Sequence, residues 1–158
     1  MTAYRRFLVR AAAMAAVLLL CPSGEARPGS VFDGISLPTL SSARPVALAS
    51  CPTKRCLTVY VAPWCGFCRR STPMFKKLKE SLRWRMVTTR IVVGMDKESA
   101  VRGYAREFGG DTLLDFEGAL SPRGVPHLFL TDRTGTVIRS RAGAPESLSE
   151  AEAWVLQQ

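Results

Sequence analysis

The run Leu57-Thr58-Val59-Tyr60-Val61-Ala62-Pro63-Trp64-Cys65-Gly66-Phe67-Cys68 decides how the rest of this chain is read. Its first part is β-branched and aromatic, lies between Cys56 and Pro63, and predicts a buried strand. Its last part is a Cys-x-x-Cys at that strand's C-terminal end. From about Gly66 a helix should run to Leu82, with Phe75, Leu78 and Leu82 on one face and Pro73 kinking it where a backbone donor is missing. A dithiol at a strand-to-helix junction has a chemical use, because a helix N-terminus offers unpaired amides and a partial positive charge to a thiolate. Cys65 is therefore expected to be the nucleophile, the more exposed sulfur with the lowered pKa, and Cys68, one turn in, should resolve the mixed disulfide. Arg69 and Arg70 either add positive charge nearby or are plain surface arginines. A structural clip or a chance spacing is the alternative for the cysteine pair. Trp64 before it and the strand ahead of it favour redox chemistry.

Beyond this run the apolar pattern continues to alternate between strand and helix. A strand is expected near Thr89 to Met95, its Ile91-Val92-Val93 centre buried on both faces. Lys97 to Phe108 predicts a helix with Val101, Tyr104, Ala105 and Phe108 at helical spacing, closed by Gly109-Gly110. Residues 111–124 form a loop or short strand. His127 to Thr131 and Thr136 to Ser140 read as a hairpin turned by Asp132-Arg133-Thr134-Gly135. A last helix starts at Ser147 in a capping box with Glu150 and carries Ala151, Trp154 and Val155 inward. The order predicts an α/β sandwich around a mixed sheet.

The N-terminus reads differently. Arg5, Arg6 and Arg10 precede the apolar run Ala11 to Leu20, a secretory signal pattern too short for an ordinary transmembrane helix. Residues 1–26 are expected to be removed after Ala26, at the small-residue site Gly24-Glu25-Ala26. A lipidated Cys21, twin-arginine export through Arg5-Arg6-Phe7-Leu8, and an uncleaved membrane anchor are the open alternatives. Each leaves the domain on the same side of the membrane, in the periplasm or otherwise exported. Residues 27–45, rich in Pro, Ser and Gly, predict a flexible arm before a domain over 46–158.

Losing three arginines and one glutamate with residues 1–26 lowers the net charge from +9 to +7. Nucleic acid is not the expected partner, since the cations are scattered and no aromatic stacking motif is interleaved with them. A solvated basic face is the simpler reading.

Four cysteines remain after removal of Cys21, in two local pairs, as an oxidising compartment permits. A single zinc ion cannot bridge them across a strand of about six residues, roughly 20 Å. Cys51 and Cys56, at the far end of that strand from Cys65, are expected to form a structural disulfide fixing the arm to the core, with a second redox pair as the alternative. Thiol exchange needs no histidine, so the lone His127 reads as a packing or surface residue. Neither metal nor cofactor is expected.

Over most of residues 46–157 the chain resembles the thioredoxin family. The resemblance rests on Trp64-Cys65-Gly66-Phe67-Cys68, on Pro73 eight residues after the first cysteine, and on Gly124-Val125-Pro126 before the hairpin. It implies a central mixed β-sheet flanked by helices with the Cys-x-x-Cys at the N-terminus of the first. It also implies a cis Pro126 against the redox sulfurs, with Val125 pairing its backbone to substrate beside Trp64, Gly66 and Phe67. Val59 departs from the pattern, since many members carry a buried acid there, and Val59 with Gly66-Phe67 looks closer to bacterial disulfide isomerases. Residues 97–124 are too few for the helical insertion of the strong periplasmic oxidase, and the arm cannot supply an isomerase's dimerisation domain, which implies a monomer. The stretch from Gly124 to Val137 is similar to exported, membrane-linked thioredoxins. That similarity implies a reductase of protein disulfides served by a membrane-bound or periplasmic electron donor. An isomerase or oxidase of the same fold, or a redox-inactive binding module, are the alternatives.

Overall fold

The computed structural model describes residues 30–157, so the expected signal segment and its cleavage site lie outside the described residues. In chain order the elements are β1 (Ser36–Leu37), β2 (Val46–Ala47), β3 (Arg55–Val61), α1 (Gly66–Trp84), β4 (Val87–Gly94), α2 (Glu98–Ala105), β5 (Leu113–Asp115), β6 (His127–Asp132), β7 (Val137–Ala142) and α3 (Leu148–Leu156). Five strands make one mixed sheet in the order β5-β4-β3-β6-β7. β3, β4 and β5 run parallel, and β6 and β7 return antiparallel. The parallel strands therefore end together at one pole, where β3 hands the chain to α1.

Alternation along the central strands divides the core in two. Leu57, Val59 and Val61 of β3, Ile91 and Val93 of β4, and Leu128 and Leu130 of β6 meet Phe75, Leu78 and Leu82 of α1, Val101 and Tyr104 of α2, and Ala151 and Val155 of α3. All three helices thus feed one core face. Tyr60, Val92, Leu113 and Phe129 point the other way, onto Phe32, Leu37, Leu48 and Leu120.

That second face corrects the flexible arm expected over 27–45. From Ser30 onward the segment is packed: Phe32 is fully buried and meets Phe129 edge-on at 5.4 Å, and β1 pairs with β2 as a small antiparallel ribbon. Arg90 donates to the carbonyls of Leu48, at 2.8 Å, and Ser50. Gly135 (φ +82°) is required beneath the arm, because a Cβ there would overlap the Ala49 carbonyl. The physical reason is an apolar sheet face that none of the described helices covers; burying it outweighs the ordering of a Pro- and Ser-rich segment.

Smaller departures have local causes. α2 stops at Ala105 rather than Phe108, because Glu107 and Phe108 bond the carbonyls three residues back, Tyr104 and Ala105, and tighten the last turn. Ser147 Oγ accepts the Glu150 amide at 3.2 Å, but the Glu150 carboxylate takes the amide of Glu146, so the expected capping box is only half formed. Trp154 is half-buried against the core.

Cys51 and Cys56 are joined as a disulfide with Cα atoms 5.7 Å apart. Cys56 lies inside β3, and Thr53 Oγ1 in the intervening turn donates to Arg55 O at 2.7 Å and accepts the Thr88 amide of β4 at 3.1 Å. The bridge closes a short loop, so its stabilisation should be about 2 kcal/mol. The double variant Cys51→Ala/Cys56→Ala is expected to lose that much in urea unfolding while the Cys65–Cys68 pair keeps its potential. A Cys51–Cys56 bridge that opened in the same glutathione buffers as Cys65–Cys68 would make this a second redox pair.

Candidate active site

Cys65 sits where the chain leaves β3 and enters α1. Its backbone is extended, its amide bonds Ala62 O at 3.1 Å, and its Sγ accepts the Cys68 amide at 3.0 Å, filling the place an N-cap oxygen would take. Cys65 and Cys68 form a disulfide with Cα atoms 5.2 Å apart. Cys65 is 5% exposed and Cys68 is sealed at 0%, so Cys65 is the one of the pair nearer solvent. The first turn of α1 holds no acidic residue, which leaves the positive end of the helix facing the sulfurs without a countercharge.

The loop before β6 closes over this pair. The Val125–Pro126 peptide bond is cis. Val125 O stands 3.5 Å from Cys65 Sγ, and Gly143 N donates to Pro126 O at 2.8 Å, tying the loop to the far end of β7. Around the pair, Trp64 and Phe67 are exposed, at 60% and 48%. Trp64 donates its indole N–H to Met95 O at 2.8 Å, and the Arg70 guanidinium lies 5.5 Å over the Phe67 ring. Trp64, Gly66, Phe67, Val125 and Pro126 are thus gathered around Cys65, whereas Cys51–Cys56 sits at the opposite end of β3.

Behind the dithiol lies a polar brace that sequence reasoning missed. Thr72 Oγ1 donates to Cys68 O at 3.1 Å and stands 2.9 Å from the Tyr104 hydroxyl. Arg69 donates Nε–H to Pro63 O at 2.8 Å, lays its guanidinium 4.7 Å over the Tyr104 ring and reaches Glu107 at 3.6 Å. Burial raises the Tyr104 pKa, and the Thr72 hydrogen bond works against it. Arg69 is thereby a strut between α1, the Pro63 turn and α2. The one available signal was Thr72 itself, four residues after Cys68, the spacing at which a helical threonine bonds the preceding turn.

His127 stacks on Phe129 at 4.3 Å, its Nδ1 buried without a hydrogen-bond partner among the described residues. Burial lowers its pKa, opposed by the Gly124 backbone. Val59 is buried in the core against the helices, so an aliphatic side chain occupies the position of the usual acid.

No protein-family model and no curated protein matches the chain. Solved structures do. An exposed lipoprotein thioredoxin of Streptococcus pneumoniae superposes with a TM-score of 0.66 at 16% identity, covering 78% of this chain and 98% of that one. This chain has the thioredoxin fold. A secreted disulfide oxidoreductase of Mycobacterium tuberculosis shares the thioredoxin fold with a TM-score of 0.61 at 19% identity, over 78% and 96% of the two chains. A thiol:disulfide interchange protein of Chlorobium tepidum does so with 0.61 at 21%, over 77% and 90%. Within the fold, the dithiol here occupies the strand-to-helix junction, and the cis-proline loop brings Val125 O to 3.5 Å from Cys65 Sγ.

Proposed function

We propose that this chain is an exported thiol–disulfide oxidoreductase that reduces protein disulfides through Cys65 and Cys68. The observation that carries the reading is the asymmetry of the pair: one sulfur at the helix cap, bonded by the Cys68 amide in the residue nearer solvent, the other fully sealed behind it. In the reduced protein, the Cys65 thiolate attacks one sulfur of a partner disulfide. A new S–S bond forms, the partner's S–S bond breaks, and its departing thiolate takes a proton from water. Cys68, deprotonated, then attacks Cys65 Sγ, releasing the second partner thiolate and closing the Cys65–Cys68 bond. Two electrons have moved to the partner, and a dithiol donor outside the cytoplasm must return them. Val125 supplies backbone to an extended partner strand, Trp64 and Phe67 supply apolar contact, and Gly66 leaves the approach to Cys65 open. The basic, apolar start of residues 1–26 supports export, as does the secreted character stated for the Mycobacterium tuberculosis relative.

The reduction potential of the Cys65–Cys68 pair, measured by equilibration with glutathione in the Cys51→Ala/Cys56→Ala background, tests the direction. A value near about −270 mV is expected for a reductase; one near about −120 mV would make the protein a disulfide donor.

A further inference from the structure

We propose that the pole opposite the dithiol is a docking surface for anionic lipid bilayers, holding Cys65 away from the membrane. Strand register places this pole without ambiguity: Arg55 pairs with Val87 and with Asp132. The start of β3, the end of α1 and the β6–β7 turn therefore meet there, a strand's length, about 20 Å, from the Cys65 end. At the end of α1, Trp84 and Met86 are 81% and 72% exposed, the two most exposed large apolar side chains among the described residues. They alternate with Arg83 and Arg85, both exposed and without an ion pair among the described residues. Over residues 30–33, 51–55, 83–86 and 132–136 five cations, Lys54, Arg55, Arg83, Arg85 and Arg133, stand against two carboxylates, Asp33 and Asp132.

An indole and a thioether flanked by guanidinium groups suit the bilayer interface, where the rings enter the headgroup layer and the cations meet anionic headgroups. The N-terminal side of the arm lies at the same pole. Ser30 is tied to this pole, its Oγ donating to Gly135 O at 2.7 Å. Where residues 1–26 are retained, residues 21–29 link it to the apolar run Ala11 to Leu20, a reach of at most roughly 36 Å.

The test uses the full-length protein with vesicles of phosphatidylcholine alone or with phosphatidylglycerol, some carrying brominated acyl chains that quench tryptophan. Quenching reads the position of Trp84 whether or not the N-terminal segment also holds the chain. We expect quenching on phosphatidylglycerol vesicles that weakens with salt, disappears in Trp84→Ala, and needs about 30-fold more anionic lipid in Arg83→Gln/Arg85→Gln. Unchanged far-ultraviolet dichroism and urea unfolding would show that these variants remain folded. Quenching that persists in Trp84→Ala would put another tryptophan at the bilayer and overturn the proposal. Equal response on phosphatidylcholine, no response on either lipid, or indifference to the arginine pair would overturn it as well. None of these outcomes depends on whether the dithiol is a reductase.

Discussion

Replacing Cys65 by serine is expected to abolish disulfide reduction, with a loss of at least about 1,000-fold in the rate at which insulin is reduced. A serine hydroxyl at the cap can still accept the Cys68 amide, so the helix should start where it does now and the fold should hold. The nucleophile is gone, however, because the thiolate and not a neutral hydroxyl performs the exchange. Cys68 cannot stand in, since it has no exposure and faces the core among α1 and the central strands. Cys68→Ser should fail in a different way. Cys65 still attacks, nothing resolves the product, and a covalent adduct with the partner accumulates that non-reducing electrophoresis detects and added dithiol releases. Activity that survived Cys65→Ser but fell with Cys51→Ala would transfer the chemistry to the other pair.

The largest structural effect is expected at Asp115→Ala. This carboxylate is fully buried, accepts the Tyr60 hydroxyl at 3.0 Å, and accepts the amides of Ala119 at 2.8 Å and Leu120 at 3.0 Å. Removing it strands three donors at once, each costing about 1–3 kcal/mol when left unpaired out of water. Because the loop after β5 can relax toward water, a net loss of about 3–5 kcal/mol is expected in urea unfolding at neutral pH, a large part of a typical domain's stability. Tyr60→Phe removes one donor and should cost about 1 kcal/mol. Gly94 lies against the same pair, where a Cβ would overlap the Tyr60 hydroxyl, so the cluster has no room to rearrange. Burial, then the charge of Asp115 and its hydrogen bond, raise the Tyr60 pKa far above the usual tyrosine value. The folded protein holds that proton where the unfolded chain releases it, so stability should fall as pH rises above about 10. Tyr60→Phe should flatten this alkaline limb. An Asp115→Ala protein within 1 kcal/mol of the parent would show that the network is not what holds the β5 loop.

What the sequence made legible followed from short-range pattern. Leu57 to Val61 is β-branched and flanked by breakers, Phe75, Leu78 and Leu82 recur at helical spacing, and Asp132 to Gly135 is a turn signal between two alternating runs. Those elements stand within one or two residues of their expected bounds, apart from the early end of α2. The arm was not legible, because β1 and β2 are two residues each and the apolar side chains around Phe32, Leu37 and Leu48 fall in short runs broken by Gly, Pro and Ser, with no period to detect. Their burial is decided by a sheet face built from strands that come later in the chain. The brace behind the dithiol escaped for the same reason. Thr72 and Tyr104 are 32 residues apart, and Tyr60 and Asp115 are 55 apart. No local spacing marks either pair.

The covering of that second sheet face by residues 30–50 bears on the order in which the molecule can be finished. During vectorial emergence from the N-terminus, Phe32 and Leu48 appear before any of their partners, and Ser30 waits 105 residues for Gly135. Closure of the first-made segment on the last-made hairpin is a contact of high sequence separation, the kind that slows folding. Until His127–Asp132 is in place, Phe32 lacks Phe129, and the arm has only Tyr60, Val92, Leu113 and Leu120 to bury against. The protein therefore completes itself as one unit, and the newly emerged arm is the stretch that most needs protection from other chains on the way.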